Sequence, residues 1–321
     1  MALYLVTGGG GFIGSHIAAT LLARGDRVRI LDNFSTGNRA NLDAVPGAEV
    51  IEGDTRSYHV VRDAVAGCDF VLHQAALPSV PRSVKDPITS NDVNVGGTLN
   101  LLHAARDAGV SRFVFASSSS VYGRNPALPK REDMVTSPIS PYAVSKLAGE
   151  QYCQSFFELY GFETVVLRYF NVFGPRQNPL SQYSAVIPKF IHLLLRGERP
   201  IVHGDGSQTR DFTYVANVVQ ANLKACNASA AAGKAFNIAA GNRISLLEML
   251  REIGRITSCA AVPEFVPVRA GDVPHSFADI ALAREVLGYE LEVGFLEGLE
   301  RTVQSLTSLS VQRDASPTSS G

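Results

Sequence analysis

LYLVTGGGGFIG, residues 3–14, decides the fold. Leu3–Val6 is a short apolar run of the kind a buried parallel strand requires, and it ends abruptly in glycines. Phe12–Arg24 then places apolar residues at helical spacing. Gly8, Gly11 and Gly14 stand three residues apart between strand and helix. The first permits a tight turn, the second lets a diphosphate approach the backbone, and the third lets the helix pack close to its strand. A helix beginning there offers free N–H groups and partial positive charge to phosphates. The next strand, Arg27–Leu31, leads into Asp32 and Asn33. A carboxylate at that position accepts hydrogen bonds from ribose hydroxyls and repels a 2′-phosphate, which predicts NAD rather than NADP.

Working outward, Glu49–Glu52, Asp69–His73, Arg112–Ser117 and Thr164–Tyr169 read as further strands. Val60–Ala66, Ile88–Ala108 and Pro141–Tyr160 read as the helices between them, with Pro141 in a first turn that tolerates it. Such alternation predicts an α/β fold, a Rossmann-type doubly wound parallel sheet. Beyond Asn171 the alternation fails. Residues 1–171 are therefore assigned to the dinucleotide-binding domain and 172–304 to a smaller C-terminal substrate lobe. This lobe has a helix at Ser245–Thr257 and a strand near Ala235–Ile238 that returns to the sheet. The Ser-rich segment 305–321 is expected to be disordered.

Bulk properties narrow the function classes. Formal net charge is −1, pI is about 6.7, and no block of like charges occurs, which argues against nucleic acid or anionic membrane as partner. Cys68, Cys153, Cys226 and Cys259 match no disulfide or zinc spacing, and the seven histidines form no metal motif. No apolar run reaches the roughly 18 residues of a membrane span. The N-terminus lacks a basic leader, so a cytoplasmic protein without a metal is expected.

YAVSK, residues 142–146, puts Tyr142 and Lys146 on one helix face. A cation beside a phenol favours phenolate and makes Tyr142 a usable general base. Together with the glycine fingerprint, the pair resembles the short-chain dehydrogenase/reductase superfamily in its extended, sugar-nucleotide-modifying form, from Leu3 to about Val303. The resemblance rests also on GDTR (53–56), HQAA (73–76), NVGGT (94–98), SSSSVYG (117–123), RYFNVFGP (168–175), GDGSQTRDFTYV (204–215) and RAGDVPHS (269–276). It implies a cofactor site containing Phe12, Ile13, Asp54, Thr55, Gln74, Ala75, Ala76, Asn94, Ser117 and Tyr169, besides the glycines, Asp32, Asn33, Tyr142 and Lys146. Counting back from VYG makes Ser118 the catalytic serine, with Ser119 the neighbouring register. Substrate contacts are implied for Ser79, Ser118, Ser119, Tyr142, Asn171, Val186 and Ser276. Arg210 and Arg269 would face the diphosphate and Asp272 a ribose hydroxyl. A homodimer built on Ile88–Ala108 and Pro141–Tyr160 is implied as well.

Family members share oxidation of a sugar 4-hydroxyl by NAD. Those that go on to eliminate water or carbon dioxide carry acidic residues before VYG, where this chain has Ser119 and Ser120. The resemblance therefore implies 4-epimerisation of a UDP-hexose. A small Ser276, where tyrosine restricts related epimerases to plain hexoses, predicts room for a 2-acetamido group and hence UDP-GlcNAc/UDP-GalNAc, with UDP-Glc/UDP-Gal as further substrates. A UDP-uronate 4-epimerase and a net sugar-nucleotide oxidoreductase are the alternatives.

Overall fold

The computed structural model describes residues 1–180, 185–268 and 274–314, with side chains up to 308. Seven parallel strands form the central sheet: β1 (Leu3–Thr7), β2 (Arg27–Asp32), β3 (Glu49–Glu52), β4 (Phe70–His73), β5 (Arg112–Ser118), β6 (Thr164–Tyr169) and β7 (Lys234–Ile238). Their order is β7-β6-β5-β4-β1-β2-β3. The chain winds outward from β1 through β2 to β3, then restarts at β4 on the other side. The switch point lies between β1 and β4, where an open sheet leaves a crevice at its carboxyl ends. Thr7 sits opposite both Leu31 and His73, so the three strands end level around it.

Alternation along the strands feeds two cores. Leu3 and Leu5 of β1 and Phe113 and Phe115 of β5 pack with Val61, Leu101 and Cys153. Tyr4, Val6 and Val114 face the other way, onto Ile17, Leu21 and Val218. The covering helices are α1 (Phe12–Ala23), α2 (Tyr58–Val65), α3 (Gly97–Asp107), α4 (Pro141–Tyr160), α5 (Val186–Leu195), α6 (Val215–Asn227), α7 (Leu246–Thr257) and α8 (Phe295–Asp314). Among the described residues no helix is long and apolar enough to cross a membrane, and no group of His, Cys, Asp and Glu could hold a metal. Cys68, Cys153 and Cys226 are free and buried, and Cys259 is free and half-buried.

Three expectations need correction. Ile88–Ala108 is not one regular helix: Pro87–Asn91 and α3 are joined by a π-helical turn, Asp92–Gly96. At its end Gly97 lets the helix pass close to Thr55, since a Cβ there would stand 2.4 Å from Thr55 Oγ1. The segment from 305 does not begin disordered, because α8 continues to Asp314 as Leu299, Val303 and Leu306 extend one buried stripe. The strand expected near 235–238 does return to the sheet, β7 pairing with β6 from Val165 to Tyr169; the boundary at 171 needs correction for α6, which packs back on α1, β5 and β6.

Candidate active site

The glycine turn is built to approach something closely. Gly8 adopts φ +70°, and a Cβ there would lie 2.8 Å from Ala75 N. A Cβ on Gly14 would lie 2.2 Å from Gly8 O, so only glycine lets α1 start this near β1. Gly11, the N-cap of α1, is extended and provides no side-chain cap. The first-turn N–H groups therefore face the cavity with no side chain between, as an anion requires. The cavity measures about 690 Å³, and Gly8, Gly11, Phe12, Ile13 and Gly14 form one wall. At its rim Asp32 is buried, with Oδ2 accepting from Gly10 N (2.8 Å) and Oδ1 from Phe34 N (2.8 Å). Each oxygen keeps a second lone pair for a hydroxyl. The donor turn, the glycine walls and this acceptor together fit a dinucleotide.

Further along the same cavity lie Asn33, Thr55, Gln74, Ala75, Ala76, Ser117, Tyr142, Lys146, Tyr169 and Ser79. Two predicted cofactor residues do not reach its wall. Asp54 is taken by Arg56, two residues on in the same turn (Nη2 2.7 Å, Nε 3.0 Å), and by Asn33 Nδ2 (2.8 Å). The Arg56 hydrogen bond holds the Asp54 carboxyl down at about 2. Asn94, in the π-helical turn, accepts from Leu77 N (2.7 Å) and donates to Ser145 Oγ (3.0 Å), and so ties the 75–78 loop to α4.

Tyr142 and Lys146 sit where sheet and α4 converge. Ser140 caps the helix by accepting from Ala143 N (3.2 Å), and Ser83 Oγ accepts from Tyr142 N (3.0 Å). Ser118, the register counted from VYG, stands near the Tyr142 hydroxyl, and its Oγ accepts from Ser120 Oγ (3.0 Å) and Ser120 N (3.2 Å). Ser119 opens the short 3₁₀ turn that Ser118 caps. Burial raises the Tyr142 phenol above its ordinary value, and Ser118 opposes the rise. Lys146 is buried with its Nζ donating to Ala116 O (2.7 Å), 5.0 Å from the centre of the Phe115 ring. Burial brings it down to about 8, with the Glu150 carboxylate opposing the fall.

The predicted substrate residues divide. Ser79 lines the cavity at φ +106°, and Ala185 lines it in place of its neighbour Val186, which starts α5 against the core. Asn171 is exposed and donates to Asp211 O (3.2 Å). Arg210 donates to Thr209 O (2.9 Å) and Pro274 O (3.1 Å), and Ser276 N donates to Thr209 O (3.1 Å). None of these three is on the cavity wall. Arg269 and Asp272 lie outside the described residues. Sequence reading also missed wall residues. Ser35, Thr36 and Gly37 follow Asp32 in what reads only as a polar loop, while Arg82, Gln177 and Asn178 sit in segments without a recognised pattern. Asn222 of α6, which donates to the Tyr169 hydroxyl (2.8 Å) and accepts from Gln74 Nε2 (3.0 Å), was missed with its helix.

The model of the NAD dependent epimerase/dehydratase family matches residues 4–239. A putative UDP-glucose 4-epimerase from Methanocaldococcus jannaschii is 40% identical over 303 residues, covering 94% of this chain and 97% of that protein. Two solved structures superpose with TM-scores of 0.92, each covering 96% of this chain and 99% of its own. One is the UDP-glucose 4-epimerase of Thermotoga maritima with UDP-glucose, 36% identical. The other, 38% identical, is a UDP-N-acetylglucosamine 4-epimerase from Methanobrevibacter ruminantium in complex with UDP-N-acetylmuramic acid.

Proposed function

Because this chain belongs to the NAD dependent epimerase/dehydratase family, we propose that it is a UDP-sugar 4-epimerase acting on UDP-GlcNAc and UDP-GalNAc, with UDP-glucose and UDP-galactose as further substrates. The observation that carries the reading is a single cavity with an uncapped glycine turn and buried Asp32 at one end and Tyr142 and Lys146 at the other. NAD, which the glycine turn and Asp32 would hold along this cavity, would supply the hydride acceptor and donor for C4 of the sugar. Tyr142 accepts the 4-hydroxyl proton and gives it back. Ser118 orients the reacting hydroxyl and stabilises the phenolate by donating to it. Lys146, held on Ala116 O, supplies the positive charge of the site. Positions 119 and 120 carry hydroxyls, and Ser120 is occupied with Ser118, so no carboxyl group at these positions serves an elimination after the oxidation.

The acetamido preference rests on the small side chain that the sequence places at Ser276, and not on the described cavity wall, which Ser276 does not join. A homodimer is supported by the exposed apolar residues Val84, Ile88 and Val144 on the helical segments around α4, and light scattering tests it. The deciding experiment is proton NMR of the purified protein with UDP-GlcNAc and no added cofactor. Growth of the UDP-GalNAc anomeric signal is expected. Conversion of UDP-glucose alone would overturn the acetamido reading, and inactivity on both with NAD supplied would overturn the epimerase reading for these sugars.

A further inference from the structure

One turn beyond Lys146 on α4, Glu150 is 5% exposed. A carboxylate that deep needs partners for every lone pair. Its Oε1 accepts from Ser117 Oγ at the end of β5 and from Arg168 Nε on β6 (3.0 Å), and its Oε2 accepts from Arg168 Nη2 (2.7 Å). Arg168 passes the network on by donating Nη1 to the Tyr122 hydroxyl (2.9 Å), which donates to Asn237 Oδ1 (2.7 Å). Three elements of the site, α4, the serine loop and the strand leading to Asn171, thus meet on one carboxylate.

The charges around Lys146 make that carboxylate more than a staple. From its own helix Lys146 faces Tyr142, Glu150 and Cys153, whose thiol burial pushes up. From β5 come the Phe115 ring and the Ala116 carbonyl. From β4 comes His73, whose Nδ1 lies 2.7 Å from Thr7 Oγ1 and whose Nε2 donates to Thr98 Oγ1 (2.9 Å), because the Thr98 hydroxyl is already given to Asn94 O, and which burial and then the Lys146 charge hold down to about 3. His73 is therefore neutral. From β6, behind Glu150, comes Arg168. Two buried cations share this region, and among the described residues facing Lys146 only Glu150 is an anion.

We propose that Glu150 is a positioning residue for the reaction: its buried carboxylate keeps the Lys146 ammonium charged and, through Ser117, holds α4 in register with the serine loop. This rests on reading Tyr142 as the base that the Lys146 charge serves. A carboxylate acting only as a helix-to-sheet staple would affect melting and leave Lys146 titrating where it does. Without the anion, burial acts on Lys146 with its main opposing charge gone, and Arg168 loses its buried partner.

The test uses holoenzyme labelled with ¹³C at lysine Cε, the Lys146 signal being assigned with Lys146→Arg. Its titration is compared with the alkaline limb of the kcat profile. In Glu150→Gln the Lys146 midpoint is expected to fall by about one pH unit or more, with the alkaline limb moving the same way and KM changing less than about twofold. Glu150→Asp restores most of the midpoint because the charge remains. Arg168→Gln, which removes the competing cation, raises the midpoint and keeps the proposal testable if Glu150→Gln does not fold. An unmoved Lys146 midpoint in a folded variant overturns it. A midpoint that moves while the kcat limb stays overturns its link to the reaction. The resonance needs no turnover, so failure of the proposal and failure of the epimerase reading are told apart.

Discussion

Replacing Gly14 by alanine adds one methyl group where the chain has no room for it. The Cβ would stand 2.2 Å from Gly8 O, 2.8 Å from Gly8 C and 2.9 Å from Gly9 Cα. All three are backbone atoms of the turn, so no side chain can swing aside, and α1 must retreat by about 1 Å to restore ordinary contact. The retreat disturbs the Gly11 N to Gly8 O bond (3.0 Å) and leans on the Gly8 N to Leu31 O bond (2.8 Å) that anchors the turn to β2. Overpacking of this kind costs about 1–3 kcal/mol, and rigid neighbours favour the upper end. At roughly 1.5 °C per kcal/mol for a chain of this length, melting should drop by about 3–5 °C. The first-turn N–H groups move with the helix, so NAD should bind at least about tenfold more weakly, the equivalent of 1.4 kcal/mol. Gly11→Ala is the contrast. Its Cβ meets only Gly8 O within 3.5 Å, at 3.0 Å, yet projects where a diphosphate would lie, so cofactor is lost while the apoprotein melts within about 2 °C of the parent. Scanning fluorimetry with and without NAD, and NAD released on denaturation, read the two effects separately. A Gly14→Ala protein that melts like the parent with its full complement of NAD would refute the reasoning, as would equal destabilisation by both changes.

Tyr142→Phe should keep its NAD and lose about 10²–10⁴-fold in kcat, the usual worth of a positioned acid–base group. Near-parental turnover would remove Tyr142 from that role. Ser276→Tyr should abolish turnover of UDP-GlcNAc while sparing UDP-glucose, measured by NMR under identical conditions, and equal loss on both sugars would sink the gatekeeper argument. Acid should destabilise the fold through His73, which burial holds down to about 3. Between that value and about 6.5 the unfolded chain takes a proton that the folded one refuses, so stability falls as pH drops through this window and is unaffected above it. One such group gives a slope of about 1.4 kcal/mol per pH unit, and His16, held at about 4 by burial, adds a second over part of the range. Urea unfolding from pH 7 to pH 4.5 should show the decline, and His73→Gln should remove about half of it.

The nucleotide half of the molecule was legible because its signals are local. Strand, glycine turn and helix are contiguous in residues 3–23, and Tyr142 and Lys146 share one helical turn. What escaped depends on distant partners. Asn217 and Asn222 interrupt the apolar stripe of α6 and hide it from periodicity, since their buried amides serve Val293 and Tyr169 far along the chain. Asp54 sits in the expected turn, but Arg56 claims it, a competition that spacing alone does not decide. Lys146 lies on the expected face of α4, yet the carbonyl that draws its ammonium aside belongs to β5.

The return of β7 and α6 to the first domain bears on how such a protein can diversify. Ending the chain at Asn171 would leave β6 an open edge strand and uncover the surface of α1, β5 and β6 on which α6 rests. Such an edge is an aggregation hazard. The part of the chain beyond Asn171 is therefore not a cassette exchangeable at one junction. A recombination event would need matched crossovers on both sides of α6 and β7. New specificity is more accessible through single substitutions in the loops that leave the sheet than through trading lobes.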